Sequence, residues 1–392
     1  MDESRTSIAE RSDQKLFFNH RDMDYYFSWI IGREATEGSL RRECFEVASQ
    51  ITDGDFSTWQ KAWMTFAEEV EAEAIDDLHR GYQEEARTGF LRACTYNRAA
   101  LFIMDPQSPF FHDIASKMRT CFENAASLFD PPIEIIQVPY QGTTLAGYFC
   151  KSAKSTEEQH TMIVVGGIET FAEDCYFMIG PAALEKGYNI IAVDLPGQGM
   201  NPYQGLFLEA RSEIPIMAVV DYALNRNEVN ENHLALFGFS WGGHIVLRGA
   251  QYESRIKALI ANPATTNIFS SALAQQSGHG KGDPIGKIVF EQIAWRFGVR
   301  IAQTLKRLAK GLGFLRFARA NPKKISCPTL CMAGESEAKI TLKQTEKCFE
   351  LLPNPKKQLR ILTKEEGGAA HCQIDNLNLL HIVIFDWLRE IL

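Results

Sequence analysis

The chain has no apolar run approaching the ~18 residues that a membrane-spanning helix needs. Its first residues, Met1-Asp2-Glu3-Ser4-Arg5-Thr6-Ser7, are polar and lead into no apolar segment. Neither a membrane span nor a secretory leader is therefore expected, and the predicted location is the cytoplasm. Cysteine is too sparse and too scattered for a disulfide framework, with nine residues and an odd one left over. Cys327-x-x-x-Cys331 has no matching second pair, so a structural zinc site is not expected, and reduced thiols are the reading. Positive charge is short as well. Lys plus Arg number 41 against 49 Asp plus Glu, a net of −8, which argues against general nucleic-acid binding. No repeat of fixed period is present, which sets aside a solenoid or propeller.

What the chain does have is a large core and an uneven charge map. Of its 392 residues, 45% are hydrophobic, enough for a large α/β domain and a smaller unit. Residues 1–130 carry 24 acidic and 14 basic side chains, whereas 264–325 carry 11 basic and 2 acidic. The first 131 residues read as helix. Apolar positions recur at three- and four-residue spacing around Tyr25, Trp29 and Ile30, from Leu40 to Ala48, and from Phe56 through Trp59, Trp63, Phe66 and Val70. The same spacing continues from Phe90 to Met104 and from Phe110 to Phe129. Such segments share one buried seam. Asp130-Pro131-Pro132 breaks the pattern and marks a predicted domain boundary.

Beyond it the period changes. Ile133–Pro139 and Thr144–Cys150 read as strands joined by a Gln141-Gly142 turn. Strands are also predicted at Thr161–Gly167, Tyr188–Asp194, His233–Phe239, Ile256–Asn262, Thr329–Ala333 and Gln358–Leu362. Helical segments at 171–186, 212–226 and Leu377–Leu392 alternate with them, the pattern of βαβ units in a mostly parallel sheet. The strand at 233–239 runs into Gly238-Phe239-Ser240-Trp241-Gly242, and helix-compatible sequence follows at once. A serine between glycines on a strand-to-helix turn is a nucleophile elbow, with Ser240 exposed to attack a carbonyl. The strand count and order fit an α/β-hydrolase core over 132–392, in which 264–325 is an inserted helical lid.

A serine hydroxyl needs a base to become nucleophilic. In this fold class the acid and the histidine follow the serine in chain order. His371, on the loop Glu366-Gly367-Gly368-Ala369-Ala370-His371 after the last strand, is the predicted general base and then acid. The carboxylate should lie just beyond the strand ending at Gly334. Glu337 has the usual spacing and Glu335 is the alternative. Two backbone donors should face the developing oxyanion: the N–H of Trp241 and, in the loop Gly166-Gly167-Ile168-Glu169, the N–H of Ile168. Asp194-Leu195-Pro196-Gly197-Gln198-Gly199 reads as a structural turn supporting the elbow, His244 as a packed helix residue, and His381 as a surface or core residue of the last helix.

The lid has several readings. Ile301, Leu305, Leu308 and Leu312 form an apolar stripe flanked by Arg300, Lys306, Arg307 and Lys310. This is a solvated face over a hydrophobic seam, a docking surface for an acidic carrier protein or anionic substrate, or a membrane-surface helix. Trp295, Phe297, Phe314 and Phe317 would roof an apolar or aromatic substrate.

The chain resembles one branch of the α/β-hydrolases. The residues that carry the resemblance are Trp59-x-x-x-Trp63, Glu71-x-Glu73-Ala74 and Ala86-x-x-x-x-Leu91-Arg92-Ala93-x-x-Tyr96-x-x-Ala99, together with Gly166-Gly167-Ile168-Glu169 and Asp194-x-Pro196-Gly197-x-Gly199. Gly238-x-Ser240-x-Gly242-Gly243 and Gly368-x-x-His371-Cys372-Gln373-x-Asp375-Asn376 complete the set. The branch is similar to 2,6-dihydroxypseudooxynicotine hydrolases, fermentation-respiration switch-like esterases and polyketide chain-shortening hydrolases of pigment pathways. The resemblance implies hydrolysis of a carbon–carbon bond in a β-dicarbonyl or aryl ketone by a Ser-His-acid triad, without cofactor or metal. It further implies a substrate enclosed between helical cap and lid. The chain departs from the pattern in placing Glu337 where relatives usually have aspartate. The expected partner is a small apolar or aromatic molecule, free or carrier-bound, with a homodimer as the expected assembly. The competing readings are an esterase or thioesterase, an acyltransferase or cyclase with the same triad, and a binding protein that kept the fold without the chemistry.

Overall fold

The computed structural model describes residues 12, 15–154, 159–267, 284–298 and 319–392. Among them, five helices precede the first strand: α1 (Arg21–Gly32), α2 (Arg41–Ala48), α3 (Phe56–Arg80), α4 (Gln83–Phe102) and α5 (Phe111–Ser127). Helix α3 starts where the Asp55 side chain accepts the N–H groups of Ser57 and Thr58, and it stops at Gly81, whose φ of 85° a helix cannot continue. Helix α4 is the buried centre of this layer. The Trp59 indole donates to Ala99 O at 2.8 Å, and Trp63 stacks on Tyr96 with ring centroids 5.6 Å apart.

Among the described residues the sheet has eight strands: β1 (Glu134–Tyr140), β2 (Thr143–Cys150), β3 (Thr161–Val165), β4 (Asn189–Val193), β5 (Leu234–Phe239), β6 (Ala258–Asn262), β7 (Thr329–Gly334) and β8 (Lys357–Leu362). Their order is β1-β2-β4-β3-β5-β6-β7-β8, antiparallel at β1–β2–β4 and parallel thereafter. Positive φ at both Gln141 (45°) and Gly142 (83°) makes the β1–β2 hairpin turn. Strands β3 to β7 are buried at every residue, as expected of parallel strands covered on both faces.

Helices α6 (Ala172–Glu185) and α11 (Leu377–Ile391) pack on one face together with the N-terminal helices. Helices α7 (Glu213–Leu224), α8 (Trp241–Ala250) and α10 (Lys339–Leu351) cover the other. The buried face of helix α10 is mostly polar: Thr341, Gln344, Thr345 and Cys348. A buried ion cluster ties the N-terminal helices to α6. Arg33 and Arg98 both bind Asp174, which also accepts the Phe171 N–H at the helix start. Burial works to raise the Asp174 carboxyl, but the two guanidinium groups and that N–H outweigh it and hold it below the usual carboxylate range.

Part of the predicted lid is described. Helix α9 (Pro284–Arg296) lies within it, and the Asn267–Arg319 bridge joins residues near its two ends. Gln292 donates to the carbonyls of Leu101 and Phe102, which the end of α4 leaves without intrahelical partners, and to that of Met104 just beyond it. Trp295 sits between Phe111 and Tyr203. The apolar stripe 301–312, its flanking basic residues, Phe314 and Phe317 lie outside the described residues. Among the described residues no helix is long and apolar enough to cross a membrane. All nine cysteines are buried and free of disulfides.

Candidate active site

The parallel strands end together. Val165 pairs with Gly238, Phe239 with Asn262 and Gly334 with Leu362, so their C-terminal loops converge along one edge. In open α/β sheets that edge is where ligands bind. Ser240 joins β5 to α8 with φ 56° and ψ −128°, a conformation that side-chain-bearing residues seldom adopt. The turn can be this sharp because its neighbours are bare. A Cβ at Gly238 would lie 2.3 Å from Gly242 O, and one at Gly242 would lie 2.2 Å from Val165 O. Ser240 N–H donates to Asn262 O at 2.7 Å, pinning the elbow to the end of β6.

The Ser240 hydroxyl lies 2.9 Å from His371 Nε2, and His371 Nδ1 is hydrogen-bonded to Glu337 Oε1. The imidazole and the carboxylate are both buried, whereas Ser240 is partly accessible. Glu335, the alternative acid, turns outward and accepts the Lys364 N–H at 2.9 Å. The two loops meet because β7 ends in a glycine: a Cβ on Gly334 would fall 2.2 Å from Ala369 O and 2.4 Å from Ala370 O. The Ser336 N–H donates to Ala369 O, closing the same contact.

Beyond His371, Cys372 and Gln373 take left-handed φ values of 56° and 54°. Asn262 holds that strained turn. Its amide donates to Gln373 Oε1 at 2.7 Å, while its main-chain oxygen receives the Ser240 N–H. One residue at the end of β6 thereby anchors both the elbow and the histidine loop. The motif containing Gln373 is visible in the sequence, but its partner 111 residues away is not.

The loop after β3 runs beside the serine. A Cβ on Gly167 would lie 2.8 Å from Ser240 Cβ, 3.0 Å from its Oγ and 3.6 Å from Trp241 N. Trp241 is the first residue of α8, so its N–H is among those with no intrahelical acceptor. Ile168, the next residue in the loop, is partly exposed. The 194–199 turn bonds to the region after β3: Gly199 N–H donates to Thr170 O, and Asp194 accepts the Ala172 N–H.

Three aromatic residues stand around this edge. Trp29 of α1 meets the His371 ring edge-on at 6.5 Å, Tyr26 of the same helix points its hydroxyl at Glu169, and Phe297 packs against Trp241 at 5.9 Å. Of the other histidines, His244 bonds Thr265 O through Nδ1, and burial pushes its imidazole down to about 4. His381 bonds Met178 O. Both are buried helix residues, which agrees with the reading of His244 and decides for core over surface at His381.

Residues 161–346 match the family described as alpha/beta hydrolase fold. The chain has the α/β-hydrolase fold. This hydrolase is 26% identical to hydrolase LUC6 of a Fusarium species, over 95% of this chain and 96% of that protein. It is 27% identical to the 20-hydroxy-prefusarin hydrolase FUS2 of Gibberella moniliformis, again over 95% and 96%. The solved structure of a 2,6-dihydroxy-pseudo-oxynicotine hydrolase superposes with a TM-score of 0.75 at 20% identity, covering 92% of this chain and 95% of that one. The two fungal matches run nearly end to end, so the helices ahead of the sheet are part of the likeness.

Proposed function

We propose that this hydrolase cleaves a carbon–carbon bond of a β-dicarbonyl or polyketide-type substrate through an acyl-serine. The observation that carries the reading is the line from Ser240 Oγ to His371 Nε2 at 2.9 Å, continued from Nδ1 to Glu337. Ser240 attacks a ketone carbon while His371 takes the hydroxyl proton, and Glu337 holds the imidazole in the required tautomer. The N–H groups of Trp241 and Ile168 stabilise the oxyanion. Its collapse breaks the bond to the neighbouring carbon, whose electron pair leaves as an enolate and is protonated by His371. Water then adds to the acyl-serine, giving a carboxylic acid and free Ser240.

The substrate class is supported by FUS2, whose name gives it 20-hydroxy-prefusarin. It is further supported by the aromatic side chains around the site, Trp29 against His371 and Phe297 against Trp241. In this reading residues 1–131 form a cap over the 132–392 core, and the cap and the 264–325 insertion together enclose the substrate.

Product analysis tests the reaction. Incubation with a β-diketone in H2(18)O is expected to give a shortened skeleton and one labelled carboxylic acid. Skeletons left intact, with ester or thioester analogues hydrolysed instead, would move the assignment to an esterase or thioesterase. Gly167→Ala tests the oxyanion position separately, since the added methyl sits 3.0 Å from Ser240 Oγ. Turnover should fall by about 10²-fold, and the unfolding midpoint should drop modestly because the 2.8 Å approach to Ser240 Cβ forces the loop or the elbow to shift.

A further inference from the structure

We infer that Gln198 is a positioning residue for the oxyanion site, fixing the peptide that carries the Ile168 N–H. The inference deepens the proposed function and rests on Ser240 being the nucleophile. Gln198 is buried in the turn after β4, between Gly197 and Gly199, both with positive φ. Its amide has one orientation that satisfies its neighbours. Oε1 accepts the Leu195 N–H at 3.0 Å, which sends the NH2 group toward the loop after β3. There Nε2 donates to Gly166 O at 2.7 Å and to Gly167 O at 2.9 Å. Thr170 adds a second donor to the Gly167 carbonyl at 2.8 Å.

A trans peptide is planar, and its C=O and N–H point in opposite directions. Two donors on the Gly167 carbonyl therefore aim the Ile168 N–H, which belongs to the same peptide unit, away from Gln198. Rotating that peptide would put a carbonyl oxygen where a donor is required, and would strip a buried amide of an acceptor. The loop is braced from the insertion as well, because Arg296 donates to Gly197 O at 2.8 Å and to Glu169 O at 3.0 Å. Those bonds tie Glu169 of the loop to Gly197 of the turn that carries Gln198, and they leave the Gly167–Ile168 peptide to Gln198 and Thr170. Gln198 touches neither the serine nor a substrate, and its effect would pass through the backbone it holds.

The test uses the full chain, a fluorophosphonate probe whose phosphoryl oxygen occupies the oxyanion position, and a p-nitrophenyl ester. Gln198→Leu is expected to slow phosphonylation of Ser240 and lower kcat by about 10²-fold, with KM unchanged. A trifluoromethyl ketone should lose affinity by the same factor as kcat/KM. A structural role alone would lower the unfolding midpoint without that proportionality. Gln198→Glu, the same length but with acceptors facing two carbonyls, should fall at least as far. If Gln198→Leu does not fold, Thr170→Val must give a smaller loss of kcat, also with KM unchanged. Phosphonylation at the wild-type rate in folded Gln198→Leu, or an unaltered kcat in Thr170→Val, would overturn the inference alone. A wild-type chain that the probe does not label at Ser240 would overturn the nucleophile reading and this one together.

Discussion

Ser240→Ala should reduce turnover by on the order of 10⁶-fold, and His371→Ala should do the same. The two act as one unit, because the hydroxyl is an adequate nucleophile only while the imidazole 2.9 Å away accepts its proton. The double variant should consequently be no slower than either single one, a non-additivity that two independent contributions would not give. Ser240→Ala keeps the positive φ of the elbow and its main-chain bond to Asn262, so circular dichroism and the unfolding midpoint should stay near those of the wild type. Mass-spectrometric tracking of a fluorophosphonate adduct should place it on residue 240 in the wild type and find none in the alanine variant. Measurable turnover by folded Ser240→Ala would remove the acyl-serine mechanism.

Glu337→Gln is expected to cost about 10⁴-fold in kcat, with little change in KM. The carboxylate can only accept from His371 Nδ1, so it keeps the proton there and leaves Nε2 free to take the serine proton. A glutamine amide can donate instead, which favours the other tautomer and presents a protonated Nε2 to Ser240. The change is isosteric and its site is buried, so the fold should survive while the chemistry does not. Glu335→Gln is the matched control. That side chain bonds the Lys364 main chain at the surface, and its loss should leave kcat at the wild-type level. A reversal of the two results would transfer the acid role to residue 335.

The elements of the sheet were legible because each carries a local signal. Val165, Phe237 and Ile260 lie in short apolar runs of the kind a strand buried on both faces requires, and all three are buried in the centre of the sheet. Trp59, Trp63 and Val70 recur at helical spacing and are buried along α3. Helix α10 gave no comparable signal, since Thr341, Gln344 and Thr345 bury a polar face. Ser240 was legible from glycine spacing, and His371 from its place after the last strand. The acid was legible only as a preference, with Glu337 favoured by its spacing from Gly334, because Glu335 and Glu337 share composition and neighbourhood and differ in direction.

By itself the sequence determined the strands of the sheet and the helices of strong apolar period, and that a serine on an elbow would stand at the edge where the strands end. These are local properties, set by residue period, by glycine at a sharp turn and by chain order. Tertiary structure alone decided which glutamate meets the histidine, that Asn262 anchors both Ser240 and the Gln373 turn, and that Gln198 reaches back 31 residues to the Gly167 carbonyl. Those outcomes depend on side-chain direction and on contacts between distant segments. A hydrogen bond exists only when two groups from such segments arrive within about 3 Å at the right angle, and nothing local encodes that meeting.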